Sequence, residues 1–262
     1  MTDASSIVTD QSDPAVAIVT IDRPDQRNAM TLAMWVALAE TFERLGADPA
    51  LRAVVLTGSG GAFCAGADIK EFAVTRSDAA AGARYSDAVE RANHAILDCP
   101  KATIAAISGP AMGGGCGLAL CCDFRIGDDT AYMGIPAARL GLVYGVAETQ
   151  ALMAAVGLEA AKTVLFSARR FAAGDAVRLG LLSRVAEGPA LEAAKVEAES
   201  YRGSAPRSIA GAKRVLRALL HQPDADALAQ IAALAAQAVE SADHAEGIAA
   251  FREKRAPVFR GS

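Results

Sequence analysis

An α/β fold with a largely parallel sheet and a helical C-terminal region is what this 262-residue sequence predicts. Three observations carry the prediction. Short apolar, β-branched runs alternate with helix-period segments up to about Gly145. Two of those runs are each followed by a glycine-rich stretch that leads into a helix: "GGAFCAGADIKEF" and "SGPAMGGGCG". From about Gly145 the chain reads as helices alone and is rich in alanine, which suits close helix packing. Strands alternating with helices call for helices that cover a parallel sheet. The composition shifts gradually and no Pro/Ser/Gly linker separates the halves. The expected division is a flexible N-terminus (1–14), an α/β core (15–200) and a helical C-terminal region (201–262).

Each element has its own signal. "AVAIVTI" (Ala15 to Ile21) is a strand and "RPDQRNAM" the turn after it. Thr31 caps a helix running to about Leu45, with Met34, Leu38 and Leu45 at roughly helical spacing. "LRAVVLTG" (Leu51 to Gly58) is a second buried strand. A glycine-bearing loop then leads into a helix capped by Asp68. Ala83 to Leu97 is a further helix, ended by Pro100. "TIAAIS" is the third strand, and an apolar helix opens at Gly113. "DFRIGDD" and "AYMGI" are short strands with a turn between them. Helices follow over Ala147 to Val156, Ala160 to Phe166, Ala173 to Leu179, Ala190 to Arg202, Pro206 to Leu220, Ala225 to Glu240 and His244 to Glu253.

Composition narrows the function. Lys plus Arg total 26 against 30 Asp plus Glu, a net charge of -4, so the basic excess of a nucleic-acid binder is absent. The five Cys (Cys64, Cys99, Cys116, Cys121 and Cys122) and three His show no metal-ligand spacing and read as buried, reduced residues of a cytoplasmic protein. No targeting signal stands out in Met1 to Pro14. Ala102 to Cys122 carries no charge and is long enough to span a bilayer, but its glycines and Pro110 break it into strand, turn and helix.

Glycine lets a backbone approach a ligand closely, and a helix start presents unpaired N–H groups. Two such N–H groups converging on one oxygen make an oxyanion hole. The alternative is that Gly113 to Gly117 only permits tight helix–sheet packing. Neither a phosphate-binding P-loop nor the dinucleotide fingerprint is present; counted from Gly113, the last glycine of the latter is Leu118.

"IDRPDQRNAM", "LTGSGGAFCAGADIKEF", "KATIAAISGPAMGGGCGLAL" and "FREKRAPVF" resemble the successive motifs of the enoyl-CoA hydratase/isomerase (crotonase) superfamily. The resemblance runs from about Val16 to Phe259. It implies a crotonase-like spiral of β-β-α turns, trimerisation through the C-terminal helices as a homotrimer or dimer of trimers, and an acyl-CoA thioester as ligand. It implies no permanently bound cofactor, CoA being part of the substrate. By this similarity the N–H groups of Ala67 and Gly114 form the oxyanion hole. Arg27, Ala29, Ala65, Ala67 and Ile69 line the CoA path, and Phe251 and Lys254 close over its nucleotide end, from the same or a neighbouring subunit.

The chain also departs from the pattern. Hydratases of the superfamily carry one Glu directly after "GGGC" and another after the Pro of a later motif. Here those positions are Gly117 and Ala137. The isomerase base position is Gly145. Ordinary hydration is therefore expected to be weak, since a positioned acid or base is commonly worth 10²–10⁴-fold. The nearest carboxylate is Glu148, a helix-start charge or a site residue. Tyr144 is a core aromatic or a hydrogen-bond donor in the site. The expected activity is that of a CoA-ester lyase or isomerase acting through a thioester enolate. The alternatives are a decarboxylase of a malonyl-type CoA ester using Tyr144, and a catalytically silent acyl-CoA-binding protein.

Overall fold

The computed structural model describes residues 6–71, 78–220 and 225–261. Strand β1 (Ile7–Asp10) pairs antiparallel with β2 (Val16–Ile21), so these residues belong to the sheet and not to the flexible tail that the sequence suggests. Residues 1–5 of that tail lie outside the described residues.

The chain then repeats one motif. A strand of the main sheet is followed by a short extended piece in a second layer, and then by a helix. After β2 the extended piece is Met30, and α1 (Leu32–Ala47) follows. After β3 (Ala53–Gly58) it is the stretch through Cys64 and Ala67, then α2 (Ala79–Leu97). After β4 (Ala102–Ile107) it is β5 (Pro110–Met112), then α3 (Gly114–Cys121). After β6 (Phe124–Gly127) it is β7 (Tyr132–Gly134), then α4 (Val146–Ser167). The second layer is stitched by parallel bridges from Met30 to Ala67 and from Cys64 to Ala111, and by the β5–β7 pair. The result is the expected spiral of β-β-α turns.

The second half is not purely helical. β8 (Phe171–Ala172) joins β7 antiparallel, and after α5 (Ala173–Leu179) β9 (Arg184–Val185) extends the main sheet beside β6. Two-residue strands leave no periodicity for a sequence pattern to detect.

Strand β3 explains the continuous apolar runs. Val54 and Leu56 face the main core with Trp35, Leu38 and Phe42, while Ala53 and Val55 face a second core. Both faces are covered, so apolar residues do not alternate with polar ones. The second core is roofed by α6 (Ala190–Ser200), whose Ala190, Ala194 and Ala198 sit four residues apart on one stripe and let the helix lie close on the sheet.

Thr31 caps α1 as expected, its hydroxyl accepting the Met34 N–H at 3.3 Å. Helix α2 begins four residues before Ala83 because Asp78 caps it, accepting the Ala81 N–H at 2.8 Å. Helix α4 is kinked at Gly157 (φ 75°), where the sequence suggests a break between two helices. The chain ends in α7 (Pro206–Leu220), α8 (Ala225–Val239) and α9 (Ala242–Glu253). Helices α7 and α8 bury no residue and leave Leu216, Leu219, Leu220, Leu228 and Val239 exposed. Among the described residues no helix is long and apolar enough to cross a membrane, and no group of side chains suits a metal ion. The five cysteines are free and buried, and burial pushes the Cys64, Cys116 and Cys122 thiols up to about 12.

Candidate active site

The two glycine-rich points meet. Main-chain bonds run from Met30 N to Gly66 O (2.8 Å), from Asp68 N to Met30 O (2.9 Å) and from Ala65 N to Arg27 O (2.9 Å), fixing residues 64–68 against the preceding turn. Gly66 has φ 97°, and a methyl group there would lie 2.7 Å from Met112 O and 3.3 Å from Gly114 N. Only glycine allows this approach. Gly113, at φ 54°, is the N-cap of α3 and offers no side chain to cap it. The amides of Ala67 and Gly114 are thereby neighbours: a methyl group on Gly114 would lie 4.0 Å from Ala67 N. Among the described residues neither N–H is spent on another protein group.

Side chains away from the donors hold this backbone. Asn28, left-handed at φ 58°, donates to Ala62 O (2.6 Å) and Ser59 O (2.9 Å) and accepts the Arg23 N–H (2.9 Å). Asp68 accepts the Lys70 N–H (2.9 Å) at the start of a 3-10 turn, Ile69–Glu71, and pairs with Arg23 at 2.7 Å. Burial pushes the Asp68 carboxyl up, but the Arg23 guanidinium and the Lys70 N–H outweigh it and hold it below its ordinary value. Asp68 is the expected cap as well as a brace for the loop.

Both donors open into one cavity. Its walls include Trp35, Tyr85, Ile135 and Ala137, with Leu140, Leu142 and Val143 at the loop before α4. Trp35 donates to the Tyr85 hydroxyl at 2.9 Å. Tyr144 and Glu148 line the same cavity, so the structure brings both sequence candidates to the donors. The Tyr144 hydroxyl donates to Gly113 O at 3.0 Å. Burial, with the Glu148 charge beside it, pushes its pKa far up, so the phenol keeps its proton.

Glu148 is 8% exposed, in the first turn of α4. A methyl group on Gly117 would lie 3.1 Å from its Oε1, and one on Gly145 would lie 2.2 Å from its Oε2. One carboxylate thus fills the space that side chains at both of those positions would take. The Gly145 N–H, at the N-cap, faces the Glu148 carboxylate and favours its charged form, in the sense of a capping box. Glu148 is both a helix-start charge and a cavity residue. Burial raises its pKa, Glu90 across the cavity adds to the rise, and the Asn93 amide and Gly145 N–H oppose it. Glu90 and Asn93 were not singled out by the sequence. The available signal was a polar Asn beside the apolar stripe Tyr85, Ala88, Ala92 and Ile96 of α2.

A model of the enoyl-CoA hydratase/isomerase family matches residues 11–262. The chain belongs to that family.

A Thermus thermophilus protein with a provisional enoyl-CoA hydratase name is 42% identical over 247 residues, covering 93% of this chain and 97% of the relative. The methylglutaconyl-CoA hydratase of Mus musculus is 31% identical, covering 96% and 82%. Among solved structures, an enoyl-CoA hydratase/carnithine racemase from Magnetospirillum magneticum superposes with TM-score 0.90 at 34% identity, covering 98% of this chain and 96% of the other. The enoyl-CoA hydratase from Bacillus anthracis gives TM-score 0.87 at 31% identity, covering 98% and 100%.

In this family member the residues implied for the CoA path divide into two sets. Ala65, Ala67 and Ile69 line the cavity, Ile69 being 62% exposed at its mouth. Arg27 (φ 49°) and Ala29 lie on the strip of backbone bonded to the 64–68 stretch and outside the cavity wall. Phe251 and Lys254 do not join them. They sit at the end of α9, with Phe251 86% exposed, and the cavity wall of the same chain contains neither.

Proposed function

We propose that this enoyl-CoA hydratase/isomerase family member binds an acyl-CoA thioester and acts through its enolate, as a CoA-ester lyase or isomerase. The Ala67 and Gly114 N–H groups hold the thioester oxygen, and Glu148 moves the proton. The observation that carries this reading is the carboxylate of Glu148 filling the space of Gly117 and Gly145, inside the cavity that both N–H groups face. Gly117 is three residues beyond Gly114, about 4.5 Å along the helix. An acyl chain whose carbonyl oxygen rests on the Gly114 N–H therefore has its α- and β-carbons within reach of Glu148. A buried carboxylate with a raised pKa is a stronger base than a free one and can return the proton it takes up.

The decarboxylase alternative is the less favoured. Among the described residues no Lys, Arg or His lines the cavity, while Glu90 and Glu148 both do. The carboxylate of a malonyl-type ester would meet like charge with no cation to offset it. Tyr144 has its proton committed to Gly113 O and braces the start of the donor helix. The exposed apolar faces of α7 and α8 support self-association, proposed as a trimer or dimer of trimers.

The test is a mass-spectrometric assay of acyl-CoA thioesters with the purified protein in heavy water. Enolate formation introduces deuterium at the α-carbon of butyryl-CoA, and Ala67→Pro and Glu148→Gln each suppress it. Saturable binding with neither labelling nor turnover of any thioester would make the protein a silent binder and end this reading.

A further inference from the structure

Asn93 projects from α2 into the cavity and is 1% exposed; its amide lies close enough to Glu148 to lower that carboxyl's pKa, but neither its side-chain oxygen nor its nitrogen is within full hydrogen-bond distance of a protein partner. A buried amide without partners costs stability, and in a native protein it calls for a reason, such as a water or ligand that completes it. Its neighbour is Glu148, whose charged form it favours. The other charged or titratable groups around Glu148 are Glu90 on α2, Tyr144 before α4, and the protonated thiols of Cys116 and Cys121 on α3. None of these is an unpaired amide offering a donor and an acceptor together.

We infer that Asn93 and Glu148 form a two-point site for an O–H group at the acyl β-carbon: water on the enoyl side, the 3-hydroxyl on the product side. The inference rests on the enolate reading above and names water as the second reactant. Glu148 accepts one hydrogen of the water and the Asn93 carbonyl accepts the other, which leaves an oxygen lone pair free to attack. As the oxygen bonds to the β-carbon, Glu148 takes the proton. The C=C electron pair shifts to the thioester oxygen, held by Ala67 and Gly114. Glu148 then returns that proton to the α-carbon and the carbonyl re-forms. One water is consumed and the carboxylate ends as it began. The weak hydration expected from Gly117 and Ala137 assumed that no carboxylate replaced the lost pair; here one comes from α4 and its partner from α2.

Two assays of the full chain separate this inference from the reading beneath it. Hydration of crotonyl-CoA is followed beside α-deuteration of butyryl-CoA, which needs the enolate and Glu148 but no water site. The native protein is expected to do both. Asn93→Leu, close in shape, is expected to lower kcat for hydration about 10²-fold or more with little change in KM, and to slow α-deuteration much less, through Glu148 alone; an equal loss in both assays overturns the water site. If it fails to fold, Asn93→Ala takes its place with the same expectation. Hydration unchanged by the substitution, or α-deuteration by the native protein without hydration, overturns the Asn93 site and leaves the enolate reading intact. Absence of both activities from the native protein overturns the enolate reading itself.

Discussion

The side chain of Glu148 and the vacant side-chain position of Gly117 compete for one volume. A methyl group on Gly117 would lie 3.1 Å from Glu148 Cγ and Oε1 and 2.8 Å from the Tyr144 hydroxyl. Glycine at 117 and glutamate at 148 are therefore two halves of one arrangement.

Gly117→Ala is expected to overpack this spot and cost about 1–3 kcal/mol. Combining it with Tyr144→Phe removes the closest atom, and the double variant should recover more than additivity allows. Denaturant melts of the four proteins in the cycle measure this; a coupling below about 0.5 kcal/mol would be ordinary additivity and would contradict the crowding. For the same reason, Gly117→Glu with Ala137→Glu is not expected to install a hydratase pair unless Glu148→Ala is added.

Glu148→Gln should remove activity and raise stability at the same time. The folded-state pKa of Glu148 is raised, so its neutral form is favoured in the folded protein, and its charged form is a liability above that pKa. Gln keeps a carbonyl for the Gly145 N–H. The variant is expected to melt higher than native at pH 8, by about 2–4 °C per kcal/mol gained. The difference should vanish as pH falls below the ordinary carboxyl range, where Glu148 is neutral folded and unfolded. Melting curves from pH 4 to 8 check the sign; a variant less stable than native at pH 8 would refute it.

Asp68 has the opposite sign. Its folded pKa is lowered, so its stabilising contribution is present above the unfolded value and is lost as pH falls through the folded one. Asp68→Asn should destabilise the protein near neutral pH, and the gap to native should close in acid. Equal melting temperatures at pH 7 would show that the Arg23 pair contributes nothing measurable.

Ala67→Pro deletes one main-chain donor that no protein group uses. Loss of a donor of this kind costs about 10²–10³ in kcat. The expected result is that loss with a melting temperature near native. Full activity in the variant would remove Ala67 from the site.

The exposed leucines of α7 should hold copies together. Light scattering is expected to show an oligomer at micromolar concentration, and Leu216→Glu with Leu220→Glu to dissociate it. A native monomer would exclude self-association.

Most of the core was legible because its signals are local. Alternation of strand and helix marked the α/β layer from β2 to α4, its winding into a spiral came from the family resemblance, Thr31 marked the start of α1, and Gly157 stands where the sequence broke the helix. The meeting of Ala67 and Gly114 was available only through family resemblance, since nothing in either segment encodes a contact with the other. Strands β1, β5, β8 and β9 were missed because two to four residues carry no usable period. Asn93 was missed because its significance lies in having no partner, and pairing across α2 and α4 is invisible before the chain is folded. Sequence spacing also hid how Glu148 can stand in for residue 117: the two are 31 positions apart and adjacent only in space.

The oxyanion donors are main-chain atoms and the proton carrier is a side-chain tip, and this divides the site's mutational exposure. Of all replacements at position 67, only proline erases the N–H itself; the rest act through shape. At position 148 nearly any replacement erases the carboxyl. A lineage built on this scaffold can therefore lose and regain its acid or base, from whichever helix reaches the spot, without putting the anion-holding half at risk. A saturation library scored for turnover should show that asymmetry as a broad tolerance at one position and an almost empty row at the other.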